Sequence, residues 1–146
     1  MLLCGAGCFF LPTMGIELSS GALLSLPPIP VLIGGEAILE VDGAIYSFEF
    51  SLNLFALLSV QLLLLSALAS GFSNGSKKNK ILSLSFGVAG MVGFCLQRVF
   101  LAFASPSVGS AGVVYSGFFA LGLSLIAVGL ALVLFGLCHQ SVHHNR

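Results

Sequence analysis

From Phe50 to Ser76 the chain carries no formal charge, and between Lys80 and Arg146 the only charged residue is Arg98. Apolar runs of this length suit a hydrocarbon slab, because a single charge at its centre costs ~2.5–3.5 kcal/mol even on the most lenient insertion scale. The remaining charges are segregated. Glu17, Glu36, Glu40, Asp42 and Glu49 all precede the first run, whereas Lys77, Lys78, Lys80, Arg98 and Arg146 all follow it. Only 7% of the residues are charged and 58% are hydrophobic, whereas soluble domains are about 25% charged. The chain therefore has too few charged side chains to cover a soluble surface. The fold class this predicts is an all-α membrane protein, an antiparallel bundle of three to four transmembrane helices with a small exterior β-hairpin. A length of 146 residues accommodates that many spans of ~20 residues and one small exterior segment. The net charge of zero gives no support for a nucleic-acid partner.

Residues 1–34 are apolar but broken by Gly and Pro. Met1 to Ile16 lacks the positive start of a secretory signal, is short for a span and contains Pro12. It reads as a short or tilted first helix, a retained signal-like anchor, or a start truncated upstream. The prolines of Leu26-Pro27-Pro28-Ile29-Pro30 remove backbone donors, so 19–34 is expected to be an extended interfacial stretch. In 36–50, Asp42-Gly43 supplies a two-residue turn, and Ala44, Tyr46, Phe48 and Phe50 alternate with Ile45, Ser47 and Glu49. This period of two predicts a hairpin resting its aromatic side on something apolar. Bundle helices are predicted over 52–71, 81–104 and 113–137, with a loop at 72–80 and a tail at 138–146. Lysines in a short loop mark the retained side of a membrane. Loop 72–80 and the C-terminus are thus expected on the inner side and residues 36–50 outside. The sequon Asn74-Gly75-Ser76 is then expected to stay unglycosylated.

From Phe50 to Asn145 there is no Asp or Glu, and no His falls inside an expected span. Proton relays, rotary-ring proteolipids and bis-histidine haem sites need such groups within the bilayer. The chain is therefore expected to be non-enzymatic, with no catalytic, cofactor-binding or metal-binding residues. Small residues do recur at helical spacing, and close approach over small residues is what drives helices together in lipid. Gly87, Gly90 and Gly93 on the second helix and Gly122, Gly129 and Gly136 on the third are the expected helix-packing positions. They would serve this chain's own bundle, a second copy, or a partner subunit. Arg98, near the outer end of its helix, is expected to pair with Glu49 as a structural ion pair or to anchor at the interface; the alternative is a pore-lining role shared with Gln97. Gln61 is expected to form an interhelical hydrogen bond. His139, His143 and His144 read as a solvated tail, Cys138 as an unmodified thiol or a palmitoylation site, and the hairpin carboxylates as a solvated surface or a weak Ca²⁺ attractor. Cys4, Cys8, Cys95 and Cys138 do not fix a redox compartment.

The outline of a short first span, a β-rich exterior loop, a basic inner turn and a short second exterior loop resembles claudin- and PMP22-type four-helix proteins. That family's exterior-loop Trp and paired Cys have no counterpart here. The order Asn53, Lys77, Gly90, Leu96-Gln97 and Tyr115-Ser-Gly-Phe-Phe119 is similar to the later helices of cytochrome oxidase subunit III, without the acidic residue after the Gln or the histidines of the next helix. The first resemblance implies adhesion or junction organisation, the second a respiratory-complex subunit. The expectation is an integral membrane protein that packs as a subunit of a larger membrane complex. Its partners would be the lipid bilayer and other membrane subunits or itself; a small channel or transporter component is the remaining alternative.

Overall fold

The computed structural model describes residues 1–17, 21, 23–41, 43–72, 76–104 and 113–144, with the backbone alone at 41, 98, 102–104 and 140–144. In chain order, α1 (Leu2–Gly7) runs into a 3₁₀ turn (Cys8–Phe10), followed by β1 (Met14–Glu17), β2 (Leu23–Ser25) and α2 (Pro28–Ile33). Next come β3 (Gly35–Val41), β4 (Ala44–Phe50), α3 (Leu54–Gly71), α4 (Lys77–Ala104), β5 (Val113–Tyr115) and α5 (Gly117–His144). Among the described residues, three helices are long and apolar enough to cross a membrane, over Leu54–Gly71, Lys77–Gln97 and Gly117–His139. This is consistent with an integral membrane location. The 18 residues of α3 extend ~27 Å at 1.5 Å per residue, close to the ~30 Å of a hydrocarbon core.

Helix α1 has six residues and its 3₁₀ extension three, together ~15 Å, or half a bilayer. It wedges between α3 and α5, burying Leu2, Ala6, Cys8 and Phe9. Around it the bundle core collects Ala56 and Leu63 of α3, Phe94 of α4, and Ile126, Leu130 and Val133 of α5. Aromatic rings run through this core: Phe9 meets Phe94 edge-on at 4.6 Å, Phe94 stacks on Phe119 at 4.7 Å, and Tyr115 stacks on Phe119.

A second core caps one end of the bundle. Strands β3 and β4 pair antiparallel from Gly35↔Phe50 to Val41↔Ala44, which leaves a two-residue turn at 42–43. Gly43 has φ 78°, a left-handed backbone that glycine adopts freely. Ala37, Phe48 and Phe50 point into the cap, where they meet Val31 of α2, Leu101 of α4 and Met14, Ile16 and Val113.

Several sequence expectations are corrected. Residues 113–115 are a strand, not the start of the last helix. β-branched Val113 and Val114 pair with Ile16 and Gly15, giving a three-stranded sheet of order β2-β1-β5 that the all-α expectation lacked. The last helix does not stop at 137; no Gly or Pro follows Leu137 to end it, and it continues to His144. The lysines are not in a loop, because Lys77 opens α4 and lysine is a good helix former. Residues 28–33 are helical despite their prolines, which fall in the first turn where missing donors do no harm. Gly34, at φ 82°, ends that helix, and a Cβ there would lie 3.0 Å from the Leu52 nitrogen. Asp42, residues 73–75 of the expected inner loop with its sequon, the link 105–112, and Asn145 and Arg146 lie outside the described residues.

Candidate helix-docking surfaces

Helix α3 turns its leucines outward as well as inward, so its burial rather than its hydrophobicity marks its inner face. Asn53, Ala56, Ser59, Leu63 and Ser66 form the buried stripe. Asn53 caps the helix, its Oδ1 accepting from the Ala56 N–H at 3.0 Å. Farther along, the Ser66 hydroxyl donates to the Ser83 carbonyl at 2.6 Å and the Ser83 hydroxyl donates to the Ser66 carbonyl at 2.7 Å, tying α3 to α4.

The expected packing glycines sit at these contacts. A Cβ on Gly90 would lie 2.8 Å from Leu63 Cγ, while Gly93 faces Ser59 and Gly87 faces both Ser66 and Leu130. On α5, Gly122 meets Cys8 and Phe94, and a Cβ on Gly129 would lie 2.9 Å from Leu2 Cγ. Gly136 is different. Its neighbour is the Lys80 ammonium, which donates to the Gly136 carbonyl at 3.2 Å. The six glycines thus face inward, five against side chains of neighbouring helices and the sixth against a cation.

Two polar side chains stand out in the interior. Gln97 is 2% exposed and borders an enclosed cavity of about 10 Å³, room for one water. Its Nε2, like Asn53 Nδ2, has no hydrogen-bond partner among the described residues. The side chain of Arg98 lies outside the described residues, so the pair expected with Glu49 is not part of this geometry.

Gln61 corrects its expectation, for it is exposed on the outer face of α3 rather than set between helices. It interrupts a line of exposed Leu54, Leu58, Leu65, Leu68 and Phe72, which recur at alternating steps of four and three. Exposed serines elsewhere satisfy themselves on their own helix, Ser85 donating to Ile81 at 3.0 Å and Ser124 to Ala120 at 2.8 Å. The longer Gln61 amide makes no such bond to a described residue. On α5 the same steps run through small exposed residues, Gly117, Ala120, Ser124, Ala127 and Ala131. Contacts through α4 set Ser59 level with Gly122 and Ser66 level with Leu130. Gln61 is therefore level with Ser124.

On the hairpin, the face turned away from the cap carries Ile38 and Ile45, 66% and 73% exposed. Exposed Glu36, Glu40 and Glu49 surround them, and Ser47 donates to Glu36 at 2.6 Å. Among the described residues, no three His, Cys, Asp or Glu side chains converge as a metal site would require. His139 lies on α5 beside Phe135, ring centres 6.4 Å apart, and Cys138 is exposed next to it; the side chains of His143 and His144 lie outside the described residues. Comparison of the chain with known protein families, with curated proteins and with solved structures finds no match.

Proposed function

We propose that this protein is a non-enzymatic subunit of a larger membrane assembly, docking through the outer face of α3 against a helix of another subunit or of a second copy. The observation that carries this reading is Gln61. An amide facing hydrocarbon without a partner costs roughly 1–3 kcal/mol, and interhelical hydrogen bonds from Gln are a recurrent glue between membrane helices. The leucines flanking it have the four–three spacing of a helix–helix seam. When the partner is a second copy, the small-residue line on α5 supplies a complement at the right depth. Ser124 already donates to Ala120, and its oxygen retains the capacity to accept from the Gln61 amide. The exposed Ile38 and Ile45 extend the same logic beyond the helices, since two branched aliphatics ringed by carboxylates suit a partner's surface.

Mass measurement after extraction from the native membrane in mild detergent tests this. The chain is expected to run as a stoichiometric assembly, and Gln61→Leu to release it with its helices and thermal unfolding intact. A lone wild-type chain that conducts ions or solute after reconstitution would overturn the subunit reading in favour of a channel.

A further inference from the structure

At the lysine end of the bundle, between α3 and α5 and beside Leu2, lies an open groove of about 430 Å³. That is within the ~300–1,000 Å³ usual for small-ligand sites. Its walls are mostly apolar, formed by Leu3, Ala67, Leu132 and Val133, Met1 lies at its edge, and its cationic side chain is Lys80. Lys80 is half-buried there and gives one of its three donors to the Gly136 carbonyl, in the space left by that glycine's missing side chain. No carboxylate side chain can reach it. Among the described residues the carboxylates, Glu17, Glu36, Glu40 and Glu49, all lie on strands at the other end of α3, ~27 Å away. A partly desolvated ammonium facing an apolar groove calls for an anion that brings its own apolar tail.

We propose that this groove binds an anionic phospholipid, its acyl chain along Leu3, Leu132 and Val133 and its headgroup phosphate on Lys80. Exposed Lys77 and Lys78, in the same turn of α4, reinforce the attraction for net negative charge. A zwitterionic lipid offers the same phosphate, but its own cation offsets that attraction. The site is independent of the α3 outer face and of any partner docked there.

Native mass spectrometry of the full chain, equilibrated in mild detergent with equimolar phosphatidylglycerol and phosphatidylcholine, reads this directly. Phosphatidylglycerol adducts are expected to exceed phosphatidylcholine adducts about fivefold, the effect of one lysine's attraction. Lys80→Gln is expected to bring the ratio near parity although Lys77 and Lys78 remain. Ala67→Leu, which fills the groove and keeps every lysine, is expected to lose both adducts, and it decides the matter if Lys80→Gln lowers the thermal midpoint. Parity in the wild type overturns the proposal. So does a preference that survives both variants, which would mark general attraction to the exposed lysines.

Discussion

Ser66 and Ser83 face each other where α3 meets α4, each hydroxyl donating to the other residue's carbonyl, and both are fully buried. In a bilayer such a bond stabilises by ~0.6 kcal/mol on average and by at most ~1.7. Ser66→Ala is therefore expected to lower unfolding stability in mixed detergent by ~0.6–1.7 kcal/mol. Ser85→Ala should stay within about 0.5 kcal/mol, because that hydroxyl is exposed and bonds only within its own helix. Equal losses would mean that the reciprocal pair does not hold the helices together. The inward positions of α3 were open to reading, since Asn53, Ala56, Ser59 and Ser66 share one stripe of small or polar side chains. Gln61 is exposed because it lies off that stripe, among leucines, where a lone amide gives no sign of which way its face turns. Gly136 kept helical spacing with Gly122 and Gly129, yet its neighbour is a lysine that spacing alone does not reveal.

Among the elements, the hairpin and the second sheet were not equally legible. Asp42-Gly43 flanked by alternating β-formers marks a hairpin in seven-residue arms long enough to show their period. The second sheet is built of three- and four-residue strands, too short for a period of two to register. Strand β5 pairs with β1 from far along the chain and runs into the apolar start of α5, so sequence alone merges it with that helix. What holds the hairpin down is its inner face. Phe48 is 7% exposed and packed in the cap, whereas Ile45 on the other face touches little. Truncating a buried Phe costs ~3–5 kcal/mol, more than a two-stranded sheet contributes by itself. Phe48→Ala is expected to open the hairpin to limited proteolysis while the helical circular dichroism of the bundle persists; Ile45→Ala should leave the hairpin protected. Equal protease sensitivity in the two variants would separate the hairpin from the cap.

At the scale of the whole molecule, the two clusters of charge lie at opposite ends of helices about as long as a bilayer is thick. Glu36, Glu40 and Glu49 lie on the hairpin just before α3, and Lys77, Lys78 and Lys80 lie in the first turns of α4, just after α3 ends. Lysine at a helix N-terminus opposes the helix dipole, at a cost of ~0.3–1 kcal/mol per residue. Lysines at one end of a spanning bundle are the pattern that retains that end on one side of a membrane. The half-length α1 fills one lane of the bundle, and among the described residues three helices are long and apolar enough to cross a membrane. A membrane-spanning bundle is the common premise of the proposed docking face and the proposed lipid groove. Single cysteines introduced by Ile45→Cys and Ser76→Cys, with the four native cysteines replaced by alanine, can be probed in sealed vesicles with a membrane-impermeant maleimide. Ile45→Cys is expected to label from one side and Ser76→Cys from the opposite side alone. Labelling of both from the same side would contradict a membrane-spanning α3.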